Sequence, residues 1–165
     1  MFEALKEDIK VNDRRLTPII ILMFYRSANS LYYSNIPKSI KKVPLTLLKI
    51  LQKVFADVIF GVEIPYKAKI AKGLRIVHPK DIVIAETAII GEHCTIFNQT
   101  TIGVNEHKEI NKAPKIGNYV YIAAGGKVIG NIAIGDNCRI GANAVITKSI
   151  KNNTTVVCVQ RIIER

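Results

Sequence analysis

Tryptophan is absent from the 165 residues, and aromatic residues make up only 7% of them. Few rings are therefore available for stacking bases, and a nucleic-acid partner is not expected. Cysteine occurs three times, at 94, 138 and 158, with no Cys-x-x-Cys pair and one thiol left over. A disulfide scaffold is not expected on that arithmetic, and a reducing cytoplasm is the expected setting. The longest apolar run covers residues 18–25, eight positions even with Pro and Tyr counted, whereas a bilayer span needs ~20. Glu3, Glu7 and Asp8 stand where a secretory leader would be cationic and then apolar, so no leader is expected. Carboxylates are scarce, 13 against 24 basic side chains, for a net charge of +11. The excess is spread: residues 1–62 carry ten basic and five acidic groups, +5, and residues 63–165 fourteen and eight, +6. Such a surface suits a phosphate-bearing cofactor or an anionic membrane, and it equally suits a soluble protein with a high isoelectric point. With 48% hydrophobic residues and a mean hydropathy of +0.19, wholesale disorder is excluded.

What the chain has in quantity is isoleucine: 28 in all, 20 of them after residue 62. Ile64, Ile70 and Ile76 lie six apart, as do Ile84, Ile90, Ile96 and Ile102, and then Ile116, Ile122, Val128, Ile134, Ile140 and Ile146. Glycine often follows, at 91, 103, 117, 135 and 141, and a second, usually small residue falls four positions later, at Ala68, Ala88, Cys94, Thr100, Val120, Gly126, Cys138 and Ala144. Six residues is not a whole number of helical turns. A hexad that pairs an aliphatic residue with glycine instead fits one short strand and a turn, three hexads closing one coil of a parallel β-helix. The aliphatic and small positions both point inward, and four to five coils are expected.

The segment before residue 63 reads as helical. A short charged helix covers residues 2–10. Thr17-Pro18 looks like an N-cap with proline in the first turn, opening a helix over 18–33. After a break at Asn35-Ile36-Pro37 a further helix starts at Pro44, with Leu47, Leu48, Leu51, Phe55, Val58 and Ile59 on one apolar face and Gly61 at its end. This face serves core or trimer packing, or alternatively a peripheral membrane contact. The segment is placed to cap one end of the solenoid. The expected organisation is therefore a helical segment 1–62, a β-helix 63–150 and a C-terminal tail 151–165.

The repeat slips phase twice. Ile76 to Ile84 is eight residues, with the excess in or beside Val77-His78-Pro79-Lys80-Asp81. Ile102 to Ile116 is fourteen, read as two hexads plus two, across a polar excursion at residues 104–114. A regular solenoid has no structural need of either, and loops on a rigid scaffold are where chemistry tends to sit.

On these residues the chain resembles serine acetyltransferase and related hexapeptide-repeat O-acetyltransferases, including those of capsule and O-antigen synthesis. The resemblance runs from Leu5-Lys6-Glu7-Asp8-Ile9 through Tyr25-Arg26, Gly61-Val62-Glu63-Ile64, His78 and Ala85-Glu86-Thr87-Ala88 to Ile140-Gly141-Ala142-Asn143-Ala144-Val145. It implies a mainly β fold, a left-handed parallel β-helix of hexapeptide repeats behind an N-terminal α-helical segment, assembled as a homotrimer with sites between subunits. It implies acetyl-CoA as acetyl donor and no metal. His78 matches the family's catalytic histidine, the side chain suited to removing a hydroxyl proton near neutral pH. Glu63 matches an aspartate that orients it, one methylene longer. Gly103, Ala124 and Ala142 match small residues along the cofactor's arm, though turns of this repeat require small residues in any case. Lys127, Arg139 and Lys148 are candidates for its phosphates.

The departures bear on the acceptor. Val77 and Lys112-Ala113-Pro114 stand where serine acetyltransferases carry Asp and Arg-His-Pro, and Cys158-Val159-Gln160-Arg161 replaces their usual ending. The expected acceptor is therefore a hydroxyl on a sugar of a surface polysaccharide, with serine as the alternative and a non-catalytic scaffold as the second alternative. A zinc site of the γ-carbonic-anhydrase kind would need three converging ligands. The only histidines, His78, His93 and His107, are spaced fifteen and fourteen apart, and His93 is expected exposed in a regular turn.

Overall fold

The computed structural model describes residues 2–107 and 111–158. Among the described residues, fourteen short strands, β1 (Val62–Glu63) to β14 (Thr155–Val156), run behind three α-helices, α1 (Phe2–Val11), α2 (Leu16–Tyr33) and α3 (Lys38–Gln52). Every strand pairing is parallel, and the orders are β1-β4-β7-β10-β13, β2-β5-β8-β11 and β3-β6-β9-β12-β14. Each strand therefore pairs with the one three places along, and three sheets, here called faces 1, 2 and 3, enclose a triangular prism. This is the parallel β-solenoid with N-terminal helices expected from the repeat.

Register explains why the hexads work. On face 1 the inward column is Ile64, Ile84, Ile102, Val128 and Ile146; on face 2 it is Ile70, Ile90, Ile116 and Ile134; on face 3 it is Ile76, Ile96, Ile122 and Ile140. All thirteen are buried, and so are the eight small residues.

The slips resolve differently. β3 (Arg75–Val77) and β4 (Ile82–Ile84) are successive strands of the coil, so the first slip adds two residues at one corner. β7 (Thr101–Gly103) and β8 (Lys115–Ile116) are also successive. The second interval is thus one step of the coil with eight residues more than a hexad, not two hexads plus two. A third irregularity escaped the sequence reading: Ile150 bridges Ile134, four residues after Ile146, and β14 then pairs with β12 (Arg139–Ile140). The solenoid thereby continues past residue 150, and only residues 159–165 of the expected tail, with most of Cys158-Val159-Gln160-Arg161, lie outside the described residues.

At the corner between faces 2 and 3 a side-chain ladder ties coil to coil. Asn118 Oδ1 accepts from the Glu92 amide at 2.8 Å, Asp136 Oδ1 from the Asn118 amide at 2.6 Å, and Asn152 Oδ1 from the Asp136 amide at 3.0 Å. The preceding residue must be glycine there: a Cβ at Gly135 would lie 2.3 Å from Asn152 Oδ1.

The helices cap the first coil, whose backbone edge would otherwise lack partners. Asn12 donates to the Leu74 carbonyl and accepts from the Ile76 amide. Tyr25 donates to the Ala68 carbonyl and accepts from the Ile70 amide; Asn29 and Gln52 reach the Tyr66 and Ile64 carbonyls. Asp8, fully buried, accepts from Arg26 and from the Gly73 and Leu74 amides. α2 begins at Leu16 with Arg15 before it, so Thr17 is not the cap. α3 begins at Lys38 and carries Pro44 internally, where the sequence suggested a start; it continues as a π-helical turn, Lys53–Val58, to Gly61 at φ +64°. Its apolar face is only partly covered within the chain: Leu48 and Leu51 are half-buried and Phe55 stacks on Phe24 at 5.7 Å, while Leu47, Val58 and Ile59 are exposed.

Burial pushes the Tyr25 phenol up to about 12, with the Arg26 charge pulling the other way. The folded state thus holds this proton where an unfolded tyrosine, titrating near ~10, releases it. The Tyr25 contribution to stability is complete below pH ~10 and lost as pH rises through about 12. Tyr25→Phe is expected to flatten that alkaline decline in a pH series of urea melts. An unchanged decline would assign it to other groups.

Candidate active site

The predicted residues other than Arg139 lie on face 1 or at its borders. Outward side chains there form a row, Glu63, Val83, Thr101, Lys127 and Val145, in direct register. Glu63 and Lys127 are three strands apart, roughly 14 Å at ~4.8 Å per strand. One border of the face is the corner arriving from face 3. Its turns stack as Lys80, Asn98, Ala124 and Ala142, joined by amide bonds from Gln99 to the Lys80 carbonyl, Gly125 to Asn98 and Asn143 to Ala124. The first coil inserts His78 and Pro79 into this corner. His78 is exposed with φ +53°, a left-handed conformation that non-glycine residues seldom adopt. Asp81, three residues on, is also left-handed. The slip thus lifts an imidazole out of the prism edge at the head of the Ala124 and Ala142 column. The other border carries Gly103, whose carbonyl accepts from the Gly130 amide at 2.9 Å, and the looped-out residues beyond it. A cavity of about 300 Å³ opens there, lined by Asn105, Gly130, Asn131, Thr147 and Lys148 among others.

Three charged candidates, Glu63, Lys127 and Arg139, have other neighbours within the chain. No hydrogen bond joins Glu63 to His78 among the described residues; Glu63 faces the end of α3 instead, lining a cavity of about 220 Å³ with Lys49, Lys53, Asp57 and Tyr66. Asp57 is pushed above the usual carboxylate range, mainly by burial and then by the Glu63 charge, with Lys53 pulling the other way. Lys127 turns its ammonium onto the Gln99 carbonyl, which a short lysine-to-corner path allows. Arg139 lies outward on face 3, its guanidinium 5.8 Å from the Tyr121 ring centroid, around the edge from the other candidates. Asp57 was missed from the sequence, although it is the only acid between residues 14 and 62.

Two of the residues that distinguish the acceptor side are apolar and enclosed, while Lys112 is exposed. Val77, next to His78, is buried, and Ala113 packs into the core. The three histidines stand at three different corners of the prism: His78 between faces 3 and 1, His93 between 2 and 3, and His107 in the loop between 1 and 2. They do not converge within the chain. His93 is half-buried and stacks on Tyr119 at 5.4 Å, not exposed as expected. Cys94 and Cys138 are buried, and burial pushes the Cys94 thiol up to about 11. A reagent that attacks thiolates is therefore expected to label Cys158 in the folded protein, and Cys94 and Cys138 only after unfolding, as mass spectrometry of alkylated peptides would read. Labelling of all three under native conditions would contradict the packing.

The fold and the repeat define the chain as a hexapeptide-repeat β-helix protein. Residues 113–148 match the bacterial transferase hexapeptide (six repeats) family. The relatives are serine acetyltransferases. That of Synechococcus elongatus is 31% identical over 161 residues, 95% of this chain and 66% of its own length. The Neisseria gonorrhoeae serine acetyltransferase in complex with serine superposes with a TM-score of 0.80 at 27% identity, over 96% of this chain and 66% of that one. The Brucella abortus serine acetyltransferase in complex with coenzyme A gives 0.80 at 27% identity, over 96% and 65%. This chain spans just under two thirds of the length of these relatives.

Proposed function

We propose that the chain is an acetyl-CoA-dependent O-acetyltransferase, with His78 as general base and L-serine as the first acceptor to test. The observation that carries this is the position of His78. A two-residue insertion raises it in a left-handed backbone at the border of face 1, in line with Ala124 and Ala142. A base at that point can take the proton of an acceptor hydroxyl, which is a poor nucleophile unaided. The residues present fit the donor. Gly103, Ala124 and Ala142 leave backbone accessible along both borders of face 1, Gly130 at φ +99° floors the cavity by the loop, and Lys148 at its rim suits a phosphate. When bound, acetyl-CoA supplies the activated acetyl group. Glu63 stays the orienting carboxylate of this proposal, by rotation toward His78 from the row beside it. A homotrimer working in the cytoplasm completes the proposal.

The relatives favour serine over the sugar acceptor expected from the sequence, and the capsule and O-antigen branch gains no support from them. One observation keeps another hydroxyl acceptor as a second reading: Val77 and Ala113 are apolar and buried, so they offer no grip on a charged amino acid. Release of CoA thiol from acetyl-CoA, measured with serine and with a panel of sugars, separates the two. Release with serine supports the first reading. Release with sugars alone supports the second. No release and no CoA binding would return the chain to the scaffold reading.

A further inference from the structure

We infer that the exposed face of α3 is a docking surface for an anionic lipid bilayer, on which the protein rests without crossing it. The observation is an apolar strip that the fold leaves uncovered. Ile40, Val43, Leu47 and Ile50 are 66%, 75%, 57% and 56% exposed, and Val54 and Val58 prolong the strip. Their spacings of three and four residues keep them on one side of a helix. The opposite side is the one fixed to the solenoid: Gln52 and Ala56 are buried, and Gln52 donates to the Ile64 carbonyl of the first coil. The strip therefore looks away from the prism.

Charge selects the occupant. Residues 34–56 contain five lysines and no aspartate or glutamate. Lys38 and Lys42, four apart, stand exposed beside the strip, while Lys49 and Lys53 stand toward the solenoid, lining the cavity with Asp57 and Glu63, with Lys49 Nζ 4.5 Å from the Tyr66 ring centroid. Lys41, on the other side, is tied to the Tyr32 and Ser34 carbonyls. A second copy seated strip to strip would bring Lys38 and Lys42 beside their counterparts, with no carboxylate within residues 34–56 to pair them. An anionic headgroup layer supplies the missing charge, while the aliphatic side chains enter the acyl boundary. Among the described residues no helix is long and apolar enough to cross a membrane, so the helix lies in the interface plane.

The full chain would be co-sedimented with phosphatidylcholine vesicles and with vesicles carrying about 30 mol% phosphatidylglycerol. Binding to the anionic vesicles is expected to exceed that to neutral ones by about tenfold or more, and to fall in high salt. Lys38→Glu with Lys42→Glu, which keeps the strip intact, is expected to weaken it by at least about fivefold per lysine. Leu47→Gln with Ile50→Gln, at exposed positions, is expected to abolish it with circular dichroism and Tm unchanged. Equal binding to both vesicle types, or undiminished binding by the lysine variant, would overturn the inference. So would a larger oligomer seen by light scattering that the Leu47 and Ile50 variant splits while wild type ignores lipid; that outcome would give the strip to a second copy.

Discussion

Replacing His78 with asparagine is expected to lower turnover by ~10²–10⁴, the usual worth of a positioned general base, with little change in the KM for acetyl-CoA. Asparagine is the informative replacement because His78 sits at φ +53°. Asn adopts the left-handed region more readily than most residues, so the corner keeps its shape while the base is removed. Alanine would confound loss of the base with strain at the corner. The assay is thiol release under saturating acceptor, alongside a thermal melt. A variant that keeps most of its turnover would remove His78 from the chemistry and, with it, the assignment of face 1 as the site. A variant that loses turnover and also melts early would point to a structural role at the corner.

Asp8→Ala is expected to cost the fold more than any other single change considered, ~3–5 kcal/mol out of the ~5–15 typical of a domain. Asp8 accepts from Arg26 Nε at 2.8 Å and Nη2 at 3.2 Å, and from the Gly73 and Leu74 amides at 2.9 and 3.0 Å. Removing it leaves a guanidinium that is 5% exposed without its counter-charge, held only by the Ile70 and Ala71 carbonyls, and two backbone amides without their acceptor. The double change Asp8→Leu with Arg26→Met is expected to be less damaging, because no charge is then left unpaired. Urea melts of both variants check this. A loss under about 1 kcal/mol for the single change would mean that water reaches the pair.

Several features were legible because they are local and periodic. The thirteen column residues are where the hexads place them, since register in a parallel coil repeats the same step at every strand. The cap was legible in outline, since a solenoid end needs covering. Its chemistry was not. Nothing in the spacing of Asn12, Tyr25, Arg26 and Asn29 says that each will meet a particular carbonyl more than thirty residues away. The fourteen-residue interval was misread because sequence spacing alone does not say whether extra residues complete strands or loop out. Only strand pairing, β7 next before β8 in the coil, decides it.

The candidate site divides in the same way. His78 could be picked out as the residue of a phase slip, and Gly103, Ala124 and Ala142 as small residues at turns. That His78, Ala124 and Ala142 share one prism edge follows from the coil count and is a property of the folded chain. The sequence could not say that Lys127 turns along the surface to the Gln99 carbonyl at the corner, that Arg139 stands around the edge on face 3, or that Glu63 faces Asp57. Side-chain direction at an outward position depends on neighbours brought in from other coils and from α3. By itself the sequence determined the β-helix, its inward columns and the corner that carries the imidazole, because each rests on interactions repeated at a fixed short interval. The tertiary structure alone decided which polar side chains seal the first coil, which charges face one another, and that α3 keeps its apolar strip outside, because those depend on contacts between segments that no local period relates.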